Sequence, residues 1–489
     1  MKDYILIRES DDVFIALKEF HKGEIVDGFA LKEDIPNGHK IARHDMSKGH
    51  LLIKYGVVIG ELTQDVKQGE WIHSHNLKTH LDSEQTPYSY NKKEYEQAEI
   101  SSRTFLGYLR KNGKAGIRND IYILPTVGCV NNVIANIRDA FVLAHPQMKD
   151  NIKILTHPFG CSQLGDDFEN TRKLLLGLAH NPNCGGLLVV GLGCENNRLS
   201  AFVKGLEDIE KNRLSFFNAQ DVEDEVEYGL ARLEELYAVM EEDKRESLPL
   251  SYLTIGVKCG GSDGFSGLTA NPLVGLVSDV IGISGGRVLL TEVPEMFGAE
   301  RDLMNRAKDE ETFEKVVSLI NNFKAYYARN NQPCYENPSP GNKDGGITTL
   351  EEKSNGCVLK GGVLEVNDVL NYGEVCHVNG LSLVNGPGND LMACTNLIAS
   401  GATLVLFTTG RGTPFASLVP TMKIATNHHL AEKKKKWIDF DAMVAFDEGF
   451  DKAKDLLLEK IIAVASGEPV QNESSNEGLI SIFKSGVTL

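Results

Sequence analysis

The sequence has no run of eighteen apolar residues and no pair of cysteines in Cys-x-x-Cys spacing. The first absence leaves no segment fit to span a bilayer. The N-terminal MKDYILIRESDD also lacks the basic-then-apolar order of a secretory signal, so the expected location is the cytosol. The second absence removes the usual zinc-ribbon and thioredoxin-like readings. Nine cysteines, an odd number in a chain without a signal, fit reduced thiols better than a disulfide framework. Positive charge is short: Lys+Arg 51 against Asp+Glu 68 gives a net charge of -17, which repels nucleic acid and anionic membrane surfaces, and neither is expected as a partner. GxGxxG and GxxxxGK[ST] are both missing, so no nucleotide cofactor is expected.

What is present is length and a change of texture along the chain. At 489 residues, 42% hydrophobic and only 7% aromatic, the protein holds more than one core. Residues 1–80 read as short strands broken by glycine turns, a small, mostly β domain. Residues 81–103 are polar and weakly periodic, a linker. From 104 onward apolar runs end in glycine-rich loops: IYILPTVG, IKILTHPFG, GGLLVVGLG, YLTIGVKCGG. That alternation predicts an α/β fold with a parallel sheet, in two parts: residues 104–250, and residues 251–489 with C-terminal helices. A charged helix over about Asp221–Arg245 is expected to separate the two halves. EKKKK reads as a solvated helix end.

Four cysteines fall at or just beyond the ends of apolar runs: Cys129, Cys161, Cys194 and Cys259. In an open α/β sheet those ends converge on one crevice. The bland reading makes them small buried hydrophobes beside tight turns; the sharper one has them line an active site or hold iron. The loops GLGCEN and CGGSDGFSG place backbone N–H groups where a carboxylate or hydroxyl-rich anion is bound. His73 and His75 are two apart, so on a strand they share a face and can clamp one metal ion; solvent-facing histidines are the alternative. His39 lies in NGHK, and Lys54 precedes Tyr55 in IKYG. ENPSPGNKDGG is too rich in turn formers for helix or strand, and its Asn337, Ser339, Asn342 and Lys343 offer donors. Arg411, in FTTGRGTPF, has the planar fork that takes a carboxylate.

Taken in order, GHKIA, KYG, HSHN, LPTVGCVN, GCSQLGDD, GLGCENN, CGGSDGFSGLTANP, TEVPEMFGAE, YENPSPGNK, FTTGRGTPF, PTMKIATN and terminal FKSGVTL span nearly the whole chain. The series resembles the altronate branch of the sugar-acid dehydratase family, with galactarate dehydratase as the sister and a split-subunit sulfolactate sulfo-lyase as a more distant relative. The resemblance implies an N-terminal β-clip of the SAF type joined to a large α/β dehydratase region. It implies an iron- or manganese-dependent hydro-lyase converting D-altronate to 2-keto-3-deoxy-D-gluconate and water, in galacturonate breakdown. The partner is then a small sugar acid, and a homo-oligomer is compatible with it. Removing a proton beside a carboxylate builds charge there, so the site needs a cation or fixed donors, a base at carbon 2 and an acid at carbon 3. His73 and His75 are the expected metal ligands, with Glu195 or Asp263 completing the shell. His157 and Lys40 are the candidate base and acid, Asp263 also counts among the catalytic candidates, and His39, Lys54, Asn337, Asn342, Lys343 and Arg411 are the substrate-binding set. Two alternatives stand beside this reading: a redox-cofactor enzyme in which Cys129, Cys161 and Cys194 bind an iron–sulfur cluster, and a non-catalytic sugar-acid binding protein.

Overall fold

The computed structural model describes residues 3–81, 87–475 and 478–488. Residues 82–86 of the expected linker lie outside the described residues. Short strands separated by glycine turns build the N-terminal part. β1 (Tyr4–Ile5), β2 (Val13–Ala16), β3 (Lys40–Ala42) and β6 (Trp71–Ile72) form one antiparallel sheet. β4 (Leu51–Lys54), β5 (Val57–Leu62) and β7 (Leu77–Lys78) form another. The turns need glycine where backbones touch: a Cβ on Gly69, at φ +86°, would lie 2.8 Å from the Ala30 carbonyl oxygen. Phe265 and Leu268, from far along the chain, fill the same core as Val13, Ile15 and Leu52. The β domain is thus docked through a shared core, and truncating Phe265 to Ala should cost about 3–5 kcal/mol.

Residues 87–103 carry no helix or strand but are tied down. Tyr88 OH donates to Glu300 Oε1 at 2.7 Å, Tyr90 OH to the Ala307 carbonyl at 2.6 Å and Tyr95 OH to Asp302 Oδ1 at 2.9 Å.

The next region is a four-stranded parallel sheet of β8 (Asp120–Pro125), β9 (Ile152–Ile154), β10 (Cys184–Gly191) and β11 (Leu214–Asn218), in the order β9-β8-β10-β11. Helices α1 (Asn131–Ala144) and α3 (Glu225–Met240) cover one face through Ile134, Ile137, Leu233 and Leu236. α3 is the charged helix of the sequence reading. It starts where the Asp224 side chain accepts from the Val226 and Glu227 N–H groups, and it packs on the sheet it follows. α2 (Gly165–Ala179) covers the other face.

The third region is a seven-stranded, all-parallel sheet. Its strands are β12 (Thr254–Cys259), β13 (Arg287–Leu290), β14 (Val366–Leu370), β15 (Gly380–Val384), β16 (Leu404–Thr409), β17 (Thr421–Ala425) and β18 (Phe440–Asp441). The order β14-β15-β13-β12-β16-β17-β18 reverses direction at β12, so the crevice expected of such sheets opens at the end of that strand, where Cys259 sits. Helices α4 (Ala270–Ile283), α5 (Glu310–Arg329), α6 (Leu350–Cys357), α7 (Asp390–Ala399) and α8 (Phe450–Ala465) belong to this region.

The second and third regions meet at α2 and α7. α2 and α7 touch backbone to backbone: a Cβ on Gly177 would lie 2.4 Å from the Ala399 carbonyl oxygen. Just past their ends, Asn181 Nδ2 donates to the Ile398 and Ala402 carbonyls at 3.0 and 2.8 Å, and Asn183 Nδ2 to Thr403 O at 2.9 Å. The C-terminal tail links the same pair, from Thr395 Oγ1 in the middle of α7, which accepts from Ser481 N, to Asp167 near the start of α2, which accepts from the N–H groups of Ser485 and Gly486. Among the described residues no helix is long and apolar enough to cross a membrane.

Candidate functional site

Where the β domain meets the third region, three charges are buried together. Lys40 Nζ donates to both oxygens of Glu352 at 3.0 and 2.9 Å and to the Gly346 carbonyl at 2.8 Å; Lys54 Nζ reaches Glu352 Oε1 at 2.7 Å. Thr348 supplies its N–H and hydroxyl to Glu352 Oε2 at 2.8 and 2.6 Å. Burial opposes ionisation of Glu352, but Lys40 and Lys54 outweigh it and hold the carboxyl well below its ordinary range. Burial in turn lowers Lys40 to about 8, against the pull of Glu352. Two ammonium groups on one carboxylate leave a surplus positive charge in an acidic protein, which is what an anionic substrate requires.

Beside them, His39 accepts the Trp71 indole N–H on Nδ1 at 3.1 Å, and its Nε2 lies 3.4 Å from the Asp344 carbonyl. The Trp71 ring stacks on His73 at 5.2 Å and sits 5.3 Å from His75. Burial first, then Lys40, lowers His39 to about 4 and His73 to about 3, so both rings are neutral near pH 7. His73 Nδ1 is buried without a hydrogen-bond partner. The two histidines do not lie on a strand: β6 ends at Ile72, and Asn76 folds the chain back by accepting from His73 N–H at 2.9 Å and donating to Trp71 O at 2.9 Å. The same-face argument from their spacing therefore fails, because the Asn76 turn displaces it.

The loop after β12 carries Asp263, which is fully engaged. It accepts from Thr426 Oγ1 at 2.9 Å, Ser266 Oγ at 3.1 Å, Phe265 N–H at 3.1 Å and Asn427 Nδ2 at 3.1 Å, while burial pushes its pKa up. The Pro-Gly-rich segment forms a short helix after all, Pro340–Asp344, because Ser339 caps it and Pro340 suits its first turn. Asn342 donates to the Ser262 carbonyl at 2.9 Å. Asn337 and Asn342 both accept from Lys353 Nζ, at 3.0 and 3.2 Å, and Lys353 also meets Glu295 Oε1 at 2.8 Å. Lys343 is half-buried and Arg411 exposed; neither has an ion pair among the described residues. A small cavity lined by Lys54, Ser262, Asp263, Glu352, Lys353 and Cys357 joins these groups.

Behind Lys353 lies a sulfur–carboxylate centre. Cys259 Sγ and Cys357 Sγ each lie 3.1 Å from Glu295 Oε2 and 3.3 Å from each other, all three residues buried. Lys258 Nζ meets Glu292 Oε1 at 2.8 Å and Asp390 Oδ1 at 2.6 Å; Lys360 Nζ, with no hydrogen bond, lies 3.7 Å from Glu292 Oε2. Three lysines (258, 353, 360) thus face three carboxylates (292, 295, 390). A divalent ion replacing two thiol protons would leave that balance unchanged. Glu292 is held at φ +70°, a strained conformation for a residue with a side chain. The other three-residue group of this kind among the described residues, Asp12 with His44 and His50 at 3.2 and 3.0 Å, lies apart in the β domain.

The second region holds the remaining sequence candidates. His157 is buried and lowered to about 4 by that burial; Nε2 lies 2.9 Å from Pro125 O and Nδ1 accepts from Phe159 N–H at 3.2 Å. Both ring nitrogens serve the backbone. Glu195 accepts from Thr126 Oγ1 at 2.6 Å and from the N–H groups of Leu192 and Gly193 at 3.2 and 2.7 Å, and it forms no three-ligand group with His73 and His75. Of the four strand-end cysteines, Cys259 is buried while Cys129, Cys161 and Cys194 are exposed.

Family models match in three consecutive blocks. The altronate/galactarate dehydratase SAF domain covers residues 2–80, the second domain of D-galactarate dehydratase/altronate hydrolase covers 107–241, and the D-galactarate/altronate dehydratase C-terminal region covers 250–488. Altronate dehydratase of Bacillus subtilis (strain 168) is 49% identical over 100% of both chains. The chain belongs to the altronate/galactarate dehydratase family. The altronate dehydratase of Escherichia coli (strain K12) is 46% identical over 99% of this chain and 100% of its own. Galactarate dehydratase (L-threo-forming) from the same organism is 31% identical over 95% and 93%.

For a dehydratase of this family, the junction supplies positive charge, neutral imidazoles and a donor set able to take a metal. Glu352, Lys353, Glu295, Cys357 and Lys258 were absent from the sequence candidates. The signal of Glu352, Lys353 and Cys357 was weak: LEEKSNGC puts two acids and a lysine side by side on a helix that turns out buried along most of its length. Only a tertiary neighbour explains such a helix.

Proposed function

We propose that this protein is a hydro-lyase that converts D-altronate to 2-keto-3-deoxy-D-gluconate and water. The observation that carries the reading is full-length likeness to two altronate dehydratases at 49% and 46%, against 31% for a galactarate dehydratase. The buried surplus of positive charge at Lys40 and Lys54 suits an anionic sugar acid.

The donor set Cys259, Glu295 and Cys357 fits a divalent metal, and two sulfurs favour iron over manganese, which prefers oxygen ligands. When bound there, such an ion supplies Lewis acidity to a substrate oxygen. His73, with its unpartnered Nδ1, and His75 remain the alternative ligands. The chain's own groups divide the remaining work. Arg411 takes the carboxylate through its fork. Neutral His73, whose Nδ1 has no hydrogen-bond partner, accepts the proton from carbon 2, with His39 held beside it by the Trp71 N–H. Lys353, its amine held by Glu295, Asn337 and Asn342, stabilises the oxygen that leaves carbon 3, and the imidazolium formed at the base returns the proton that completes water. Lys40 positions Glu352 and the 346–348 loop rather than exchanging protons, because three acceptors surround its amine.

The test is an anaerobic assay with ferrous iron or manganese against a panel of hexonates and hexarates, scored as 2-keto-3-deoxy product. Preference for altronate supports the reading. Preference for galactarate would move the protein to the sister activity, and absence of turnover on every sugar acid would leave a binding protein.

A further inference from the structure

Cysteine is ordinarily among the most buried residue types. Five of the nine cysteines here are buried and Cys184 is intermediate; the three exposed ones are Cys129, Cys161 and Cys194. These three follow β8, β9 and β10, which are hydrogen-bonded neighbours in one parallel sheet. The sheet order reverses at β8, so the cysteine loops surround that sheet's own crevice.

The loops are stitched directly to one another. Gly128 N–H donates to Phe159 O at 2.8 Å, and Asn197 N–H to Gly160 O at 3.0 Å. Asn196 Oδ1 accepts from Ser162 N–H at 3.1 Å and lies 3.4 Å from Cys161 Sγ. A Cβ on Gly160, at φ +100°, would come 2.1 Å from Thr126 O, and one on Gly128 2.7 Å from His157 O, so the backbones approach as closely as glycine permits. His157 and Glu195, whose polar atoms are spent on these loops, hold them in place.

We propose that Cys129, Cys161 and Cys194 ligate an iron–sulfur cluster at the mouth of the second region. Cysteine thiolates are the usual protein ligands of such clusters, and these three sit one to a loop on loops that hydrogen-bond to one another. Three thiolates leave one iron without a protein sulfur. That iron would be open to the crevice at the ends of β8, β9 and β10. The cluster is distinct from the metal assigned to Cys259 and does not depend on which sugar acid is the substrate.

The experiment uses the full chain, reconstituted anaerobically with ferrous iron, sulfide and a thiol reductant, then desalted. Iron and acid-labile sulfide per chain are measured with the visible spectrum, in the unaltered protein and in a Cys129→Ser/Cys161→Ser/Cys194→Ser variant. The expected result is comparable iron and sulfide with broad visible absorbance in the first, and loss of nearly all the sulfide in the second at unchanged melting temperature. These exposed side chains contribute little to packing, so the triple variant should fold. A Cys334→Ser control should retain the cluster. Equal sulfide in parent and triple variant, or iron bound without sulfide, would overturn the proposal.

Discussion

Lys54 and Glu352 form an ion pair at 2.7 Å with both side chains about 1% exposed, linking a strand of the β domain to a helix almost three hundred residues later. Lys40 adds a second ammonium at 2.9 Å. Buried pairs of this kind add little net stability over apolar packing, but removing one partner leaves an uncompensated charge. Here the cost would fall on domain docking, since Phe265 and Leu268 share that core.

Glu352→Gln should therefore destabilise the protein by about 3–5 kcal/mol, leaving two buried lysines without a carboxylate. Denaturant unfolding against the parent measures it. A change below about 1 kcal/mol would mean the lysines find water or another partner, and the junction would not be a tether.

Much of the architecture was readable because periodicity and turn chemistry are local. IYILPTVG and GGLLVVGLG became β8 and β10, and the glycine turns of residues 1–80 became short antiparallel strands. Strand ends followed by glycine also located Cys129, Cys161, Cys194 and Cys259. What stayed hidden depends on tertiary neighbours: Glu352 answers Lys40 and Lys54, and Cys357 meets Cys259 across 98 positions. His73 and His75 were placed on a strand because nothing in their spacing reveals that Asn76 closes a turn.

His157 should make the protein acid-sensitive. Burial lowers its pKa from 6.5 to about 4, so between those values the unfolded chain binds the proton and the folded one does not. Stability from this group is complete above pH 6.5 and falls as the pH drops toward 4, by up to about 3 kcal/mol. Melting temperatures at pH 7 and pH 5 for the parent and for His157→Gln test this. The variant should start lower but lose less on acidification; equal losses would assign the acid sensitivity to other groups.

Metal removal should separate the two ligand assignments. An ion that binds only the folded chain stabilises it by about 4 kcal/mol at a thousandfold excess over its dissociation constant. A chelator should accordingly lower the melting temperature of iron-loaded protein, and Cys357→Ser should shrink that difference. If His73→Ala shrinks it and Cys357→Ser does not, the ion sits with the histidines.

Arg411 carries the last prediction. It is exposed, without an ion pair among the described residues, in the loop after β16, where its backbone N–H donates to Gly261 O at 2.9 Å. A Cβ on Gly261 would meet the Arg411 Cβ at 3.2 Å, so the two glycine loops bordering β12 and β16 hold the start of the side chain while its guanidinium stays outside the core. Such a cation has no packing duty, and a planar fork can give a carboxylate two parallel hydrogen bonds where lysine gives a point charge. Arg411→Lys should lower kcat/KM on altronate by about tenfold or more, since about 1.4 kcal/mol of transition-state binding corresponds to a factor of ten. The melting temperature should not move, because a surface cation contributes about 0–1 kcal/mol. Steady-state kinetics alongside melting curves decide it. Unchanged kinetics would place the substrate carboxylate elsewhere, with Lys343, half-buried and unpaired among the described residues, the next side chain to replace.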